Sequence, residues 1–579
     1  MKHFTNGLCA LSLRGGNTLL PAALVFFICL IASVQSSRAA IRTVDNISDT
    51  AGLTACTAAA GDCSLRGAIS GAAAGDTINF VTVFSVATQT ISLSNGHITI
   101  DKNLTVTGPG ANLLIVQSTG ATSATRRIFN LTTGTISISG MTISGGNVTG
   151  DGGGIFNTAI TTLTGVVISG NTATGFGGGI ESSNNLIVIN STISGNRSNS
   201  TGGCGGGIDH FGGTLTITNT TISGNSTPNS ANNQAGGVGA YTGTVAVSIT
   251  NSTITNNNNG GNGALGAGGY FGTSTMKNTI VAANVSNTTV SDIRGAVTSA
   301  GNNLIGNPTG STGLSNGVNG DQVGTAAAPI NPRLAPLGNY GGGIFTHALL
   351  NTGMASTAIN TGTATGAPAT DSRGAARSGA VDIGAFETNA AFTAVLPPGR
   401  VGVAYNQTIT PESGAFTYTQ SGGMIPAGLF LLNTALQSEQ LPEGKFAAEL
   451  APSAGPMTLQ GTPTIGGTSP FSLNMTNGGS STTIAYSLTI LVPTAAHVSV
   501  GGRVLVGDRG LQNAKVYLTT QSGEVRSVTT GTFGYYKFDA VAVGEAYVIA
   551  VVSKRYQFAS QILSVTDEIA DFNFYGESY

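Results

Sequence analysis

Glu181 and Asp209 each directly follow a Gly-Gly-Gly-Ile phrase, at residues 177–180 and 205–208. If both phrases hold one register of a stacked array, the two carboxyls stand on neighbouring rungs about 5 Å apart. That separation suits a retaining glycosidase, in which one carboxylate is the nucleophile and the other the acid and base. His210 adjoins Asp209 in sequence. The same pair could hold a hard cation such as Ca²⁺, which takes carboxylate oxygens. Against both uses, the equivalent position elsewhere carries Phe156, Gly239 and Phe271, as an outward corner free to vary would. Residues 128–291 contain five charged side chains, Asp151, Glu181, Arg197, Asp209 and Lys277, a thin supply for acid–base chemistry. The expectation is therefore no catalytic, cofactor or metal residue, with Glu181 and Asp209 as the candidates for catalysis or cation binding should that fail.

The remaining chemistry-bearing residues fit quieter roles. His97 and His347 lie in apolar, strand-like surroundings and read as packing or surface histidines. Asp371, Arg373, Asp382 and Glu387 crowd residues 370–387 and are expected to cap the last coil. With the first 39 residues removed, Cys56, Cys63 and Cys204 remain. In an oxidising compartment Cys56 and Cys63 can close a short loop, leaving Cys204 as the odd, inert thiol. There is no CxxC and no metal-ligand spacing.

The elements that position these residues are set by repetition. TISISGMTISGG (residues 135–146) returns as GVVISGN (165–171), NSTISGN (190–196), NTTISGN (219–225) and NSTITNN (251–257). Ile143, Ile168, Ile193, Ile222 and Ile254 then recur every 25 to 32 residues. Between copies stands GGGI, at residues 152–155, 177–180 and 205–208. Within a period the apolar residues alternate and then break parity, as in Leu215, Ile217 and Ile222. Alternation marks a strand with one buried face, and the break marks a corner. Gly and Asn at such corners tolerate left-handed backbone. One coil cannot bury enough to order itself, whereas stacked coils share apolar contacts and backbone hydrogen bonds.

Composition agrees with an extended array. The 579 residues include 86 glycines and no tryptophan, with 8% charged and 40% hydrophobic residues. The formal net charge of −2 and the absence of a basic stripe argue against nucleic acid and anionic membrane surfaces. At the N-terminus, Lys2 and Arg14 precede an apolar run over residues 19–34 and the small-residue stretch 36–40, the pattern of a secretory signal cleaved after Ala39. No second apolar run is long enough to span a bilayer. The mature chain is expected to be secreted or held at a cell surface.

Several segments carry a family resemblance. CSLRGAI (residues 63–69) followed by AAAGDTINF, the GGGI and NSTISGN phrases, and TDSRGAARSGAVDIGAFE (370–387) resemble the bacterial right-handed parallel β-helix and choice-of-anchor surface proteins. The resemblance covers roughly residues 50–387. It implies an all-β right-handed parallel β-helix, or solenoid, over residues 76–387, with an N-terminal cap over 40–75 that contains a short helix. The family's sorting tails are not matched by the closing FNFYGESY. Residues 392–492, with VAYNQTI, IPAGL and LQGTPTIGGTSPFSLNMT, resemble a bacterial immunoglobulin-like module, interrupted by an insertion over 433–457. Residues 498–579 resemble the carboxypeptidase regulatory-like β-sandwich, which carries no peptidase residues. The expected fold is thus a solenoid followed by two small β-sandwich domains.

Taken together, the expected function is non-catalytic: adhesion, or binding of an extracellular glycan or surface protein by a monomer whose Ser, Thr and Asn ladders hydrogen-bond to hydroxyls. A polysaccharide lyase or glycoside hydrolase is the alternative, and a purely structural envelope protein a third reading.

Overall fold

The computed structural model describes residues 39–578 except for short internal stretches, of which 434–455 is the longest. The expected signal segment and most of the 433–457 insertion therefore lie outside the described residues, as does Cys204.

The chain enters through a strand, Ile41–Val44, and a helix, Leu65–Gly71. Ser64 caps this helix, its hydroxyl accepting from the Gly67 amide at 3.0 Å, which satisfies one of the donors a helix start leaves open. A disulfide joins Cys56 and Cys63 just before it. Leu65, Ala68 and Ile69 point into the solenoid core, so the helix covers apolar residues that would otherwise face water at the open end.

Parallel strands stacked coil on coil follow. A 17-stranded sheet takes two strands from most coils, for example Ile180–Ser182 and Leu186–Ile189. A ten-stranded sheet takes the ISGN phrases, as in Thr192–Ser194 and Thr221–Ser223, and a three-stranded sheet closes the early coils. Register follows the repeats: Ile193 pairs with Ile168 and Ile222, and Ile180 pairs with Ile155 and Ile208. The inward aliphatics form one continuous core from Val44 to Val323. The corners are left-handed where the sequence offers Gly or Asn, with φ of 60° at Gly165, 49° at Asn190, 48° at Asn219 and 46° at Asn251.

The asparagine that ends each ISGN phrase turns inward instead. Asn171, Asn196, Asn225, Asn257 and Asn284 are fully buried, and each side-chain amide donates to the next side-chain oxygen at 2.9 Å. Each amide nitrogen also donates to a backbone carbonyl of the coil behind, Asn225 to Ile193 at 2.9 Å. Each oxygen accepts a backbone N–H as well, so all these groups are satisfied in a place water cannot reach. The ladder ends on a carboxylate: Asp292 accepts from the Asn284 amide at 2.9 Å and its backbone N–H at 2.7 Å. The third glycine of GGGI lies against these amides. A Cβ on Gly207 would stand 2.8 Å from the Gly237 carbonyl and 3.0 Å from the Asn225 Cγ, so the glycines and the asparagines are two halves of one packing arrangement.

Residues 331–388 run back along the solenoid's flank. An antiparallel hairpin, Leu334–Gly338 with Thr346–Leu349, is anchored by bonds from Thr192 to the Phe345 carbonyl and between Thr221 and Thr346. Corner asparagines hold the next stretch: Asn302 donates to the Thr361 carbonyl, Asn278 to Thr363 and Asn219 to Thr370, each at 2.8 Å. Residues 370–387 continue the path: the Gly384 N–H donates to the Asn278 carbonyl at 2.8 Å and the Ala385 N–H to Thr253 Oγ1 at 3.1 Å, on coils before the last, which corrects the expectation that they cap the last coil. The segment is a strap across successive rungs, because corner amides that point outward in a column offer it a row of donors.

Beyond it, two pairs of small sheets each enclose a core. One core joins Ala335, Tyr340, Ala348 and Leu350 to residues 394–490, and the other lies within residues 500–574. Among the described residues no helix is long and apolar enough to cross a membrane.

Replacing Asn225 by Ala takes from the Asn196 amide one of its two acceptors and from the Ile193 carbonyl its side-chain donor, inside the core. A loss of about 2–4 kcal/mol is expected from the broken buried bonds. Hydrogen exchange should show it as at least a roughly thirty-fold faster opening confined to the coils around residues 196–257, with the C-terminal sheets unchanged.

Candidate functional site

The register places Glu181 and Asp209 opposite each other on adjacent rungs, in strands Ile180–Ser182 and Ile208–His210. Ile180 and Ile208 beside them enter the core, so alternation turns the two carboxyls to the other face. They are nevertheless covered, at 2% and 3% exposure. The glycine-rich turn before Asp209 curls back, and the Gly205 N–H donates to its Oδ1 at 3.0 Å. The reading of this position as an outward corner is therefore corrected. Neighbouring coils bury it, which no single repeat reveals.

The two carboxyls are hydrogen-bonded to each other. Burial, and then the negative charge of Asp209, holds the Glu181 carboxyl far above the ordinary carboxylate range. Burial also raises Asp209. Like charges in contact in a dry site cannot both ionise, so the pair keeps one proton at neutral pH, with Glu181 as donor and Asp209 as acceptor.

His210 does not join them. The same alternation sends its ring inward, to the column of Ala240 and Phe271, so Tyr270 and not Phe271 is the counterpart of Glu181 and Asp209, and burial pushes the His210 ring down to about 4. It is a neutral core histidine whose two ring nitrogens have no partner among the described residues. Among the described residues no group of three or more His, Cys, Asp or Glu is placed to hold a metal ion.

The other singled-out residues separate into fastenings. His97 is half-buried, and its carbonyl accepts from Arg66 at 2.9 Å. His347 is buried and links the flank hairpin to the solenoid through Ser223 Oγ at 2.9 Å. Asp371 receives Arg373 at 2.7 Å, and Glu387 receives Arg377 at 3.1 Å, all four buried. Asp382 accepts the Asn360 and Thr388 N–H groups at 2.7 and 2.6 Å. Arg377 also reaches Asn219 at 3.2 Å, which ties this network to the solenoid. Sequence reasoning missed the inward asparagine ladder. Its signal was present, since Asn follows Ser-Gly in three copies while Gly already supplies the corner.

The shared proton sets a pH dependence. In the unfolded chain both carboxyls ionise near their ordinary range, so above about pH 5 the folded state binds one more proton and stability falls as pH rises. Between pH 8 and 9, His210 and His347, pushed down to about 4, Asp292, pushed up to about 6, and Asp209, pushed by burial up to about 7, have largely finished titrating. In that window the parent should lose up to about 1.4 kcal/mol per pH unit relative to Glu181→Gln, in which the bond to Asp209 persists without a proton to lose. Parallel melting curves of the two proteins check this.

The chain matches no family model, and no curated protein is detectably similar to it. Among solved structures, it resembles the Bacillus anthracis TIE protein at 12% identity over 28% of this chain and 34% of that one, with a TM-score of 0.14. An endo-fucoidan hydrolase from glycoside hydrolase family 107 is matched at 13% identity over 31% and 28% of the two chains, TM-score 0.14. A C-terminal fragment of the pilus adhesin SpaC from Lactobacillus rhamnosus GG is matched at 11% identity over 28% and 87%, TM-score 0.12. The chain thus spans about a third or less of the first of these structures, and likeness at this level carries no argument about function.

Proposed function

We propose that the protein is an exported, non-catalytic surface solenoid of the right-handed β-helix and choice-of-anchor kind, which binds glycans or surface partners. One observation carries the reading: the outer face of the central coils is polar and almost uncharged. Of the five charged residues between 128 and 291, Glu181 and Asp209 are buried, which leaves Asp151, Arg197 and Lys277 for the whole stretch. Columns of Ser, Thr and Asn suit partners recognised through hydroxyls and amides, and the paired sheets after the solenoid suit spacer or docking modules.

Polysaccharide cleavage is the less favoured alternative. A carboxyl pair that is covered and in mutual contact leaves no room for a glycosidic oxygen and a water or nucleophile around one sugar carbon. Incubation of the full chain with plant and microbial polysaccharides should give retention without new reducing or unsaturated ends. Cleavage by the parent that disappears in Glu181→Gln, with the fold kept, would overturn the non-catalytic reading.

A further inference from the structure

Where the flank hairpin crosses the ten-stranded sheet, it leaves a groove of about 510 Å³, within the range of small-molecule and oligosaccharide sites. Its floor is a column of hydroxyls on four successive rungs, Ser169, Ser194, Ser223 and Thr255, each paired to the next. They repeat about every 4.8 Å along the solenoid axis. Ile168, Ile193, Ile222 and Ile254 beside them are core residues, so alternation turns the hydroxyls outward. Pro332, Pro336 and Phe416 line the opposite side.

Two hydroxyls are built in but unused. Ser194 is 7% exposed and Thr255 1% exposed, both line the groove, and neither side chain makes a hydrogen bond to another described residue. Their oxygens open on the groove, where a hydroxyl-bearing ligand can donate to them and accept from them. Ser223 is oriented as well. The Ala335 carbonyl at 2.7 Å can only accept, so His347 Nδ1 carries the proton and Nε2 accepts from the Ser223 hydroxyl. The Ser223 oxygen is thereby turned to accept from a ligand.

The lining also states what the ligand lacks. Among the described residues no Asp, Glu, Lys or Arg lines the groove, and burial keeps His347 neutral, so none of these residues would compensate a phosphate, sulfate or uronate. A peptide strand would need an open sheet edge for its backbone, whereas this floor is a sheet face whose backbone groups are already paired from coil to coil. We infer that this groove is the binding site for an uncharged, linear glycan, lying along the solenoid axis with its hydroxyls on Ser169, Ser194 and Thr255 and its apolar ring faces against the proline and Phe416 wall. The inference rests on the glycan-binding reading above and names its site and ligand class.

The test uses the full chain, the double variant Ser194→Ala/Thr255→Val, and immobilised neutral glucans, mannans and xylans beside polygalacturonate and alginate. Both substitutions preserve or reduce volume on an ordered sheet, and melting curves confirm that the variant folds like the parent. The expected result is parent retention on at least one neutral polymer, with affinity reduced tenfold or more in the variant. Neutral-polymer binding that stays within twofold in the variant would overturn the groove assignment while leaving glycan binding in place. Retention by the acidic polymers alone would overturn it too. Binding to none of the polymers would sink both the groove and the glycan reading beneath it.

Discussion

The buried asparagine ladder is the constraint on which the rest of the solenoid depends. Each amide must donate both to the coil behind and to the next asparagine, so a coil displaced by one residue would leave polar groups stranded in a dry core. Apolar packing alone is tolerant of such slips, because one aliphatic replaces another with little loss. The ladder is not. It sets the register, the register aligns the corners, and the aligned corners put every outward residue into a column. Asp292 ends the series by taking the Asn284 donors on one carboxylate oxygen and the Asn307 backbone N–H on the other.

That alignment also explains how the chain after the coils finds its place. Corner asparagines held at positive φ present their amides outward at rung spacing, and the strap over residues 361–370 takes up three of them. The buried pairs Asp371–Arg373 and Glu387–Arg377 then stiffen the strap where it meets the coils. Such pairs add little net stability because desolvation offsets their attraction. Their geometry is specific, however, and Arg377 spends one of its donors on Asn219 of the solenoid. The strap and the hairpin convert an even sheet face into one with a wall, and only where that wall stands does a groove exist.

How much of this could be read in the sequence depends on the distance over which each feature is decided. Ile168, Ile193 and Ile222 recur with their neighbours, so strands, corners and register were legible from local pattern, and so was the pairing of Glu181 with Asp209. The burial of that pair was not. It comes from turns of neighbouring coils folding over a strand whose own residues look like an exposed corner. His210 was misplaced for a related reason, since adjacency in sequence puts two side chains on opposite faces of a strand. The contacts from Thr192 to Phe345 and from Ser223 to His347 join residues more than 120 positions apart. Nothing in the repeat announces them, because the strap does not repeat.

The scarcity of charge follows from the same stacking. In a parallel array a residue faces its own counterpart on the next rung, so a charge that recurs with the repeat meets a like charge about 4.8 Å away. Serine, threonine and asparagine gain from the same arrangement, since each can donate to one neighbour and accept from another. Glu181 and Asp209 are where the array places two acids in succession, and the fold accommodates them by keeping a proton between them and withdrawing both from water. A surface built under this rule is neutral, polar and periodic before any ligand is considered. The groove inherits those three properties from the stack, and the hairpin wall adds the enclosure that an open ladder lacks.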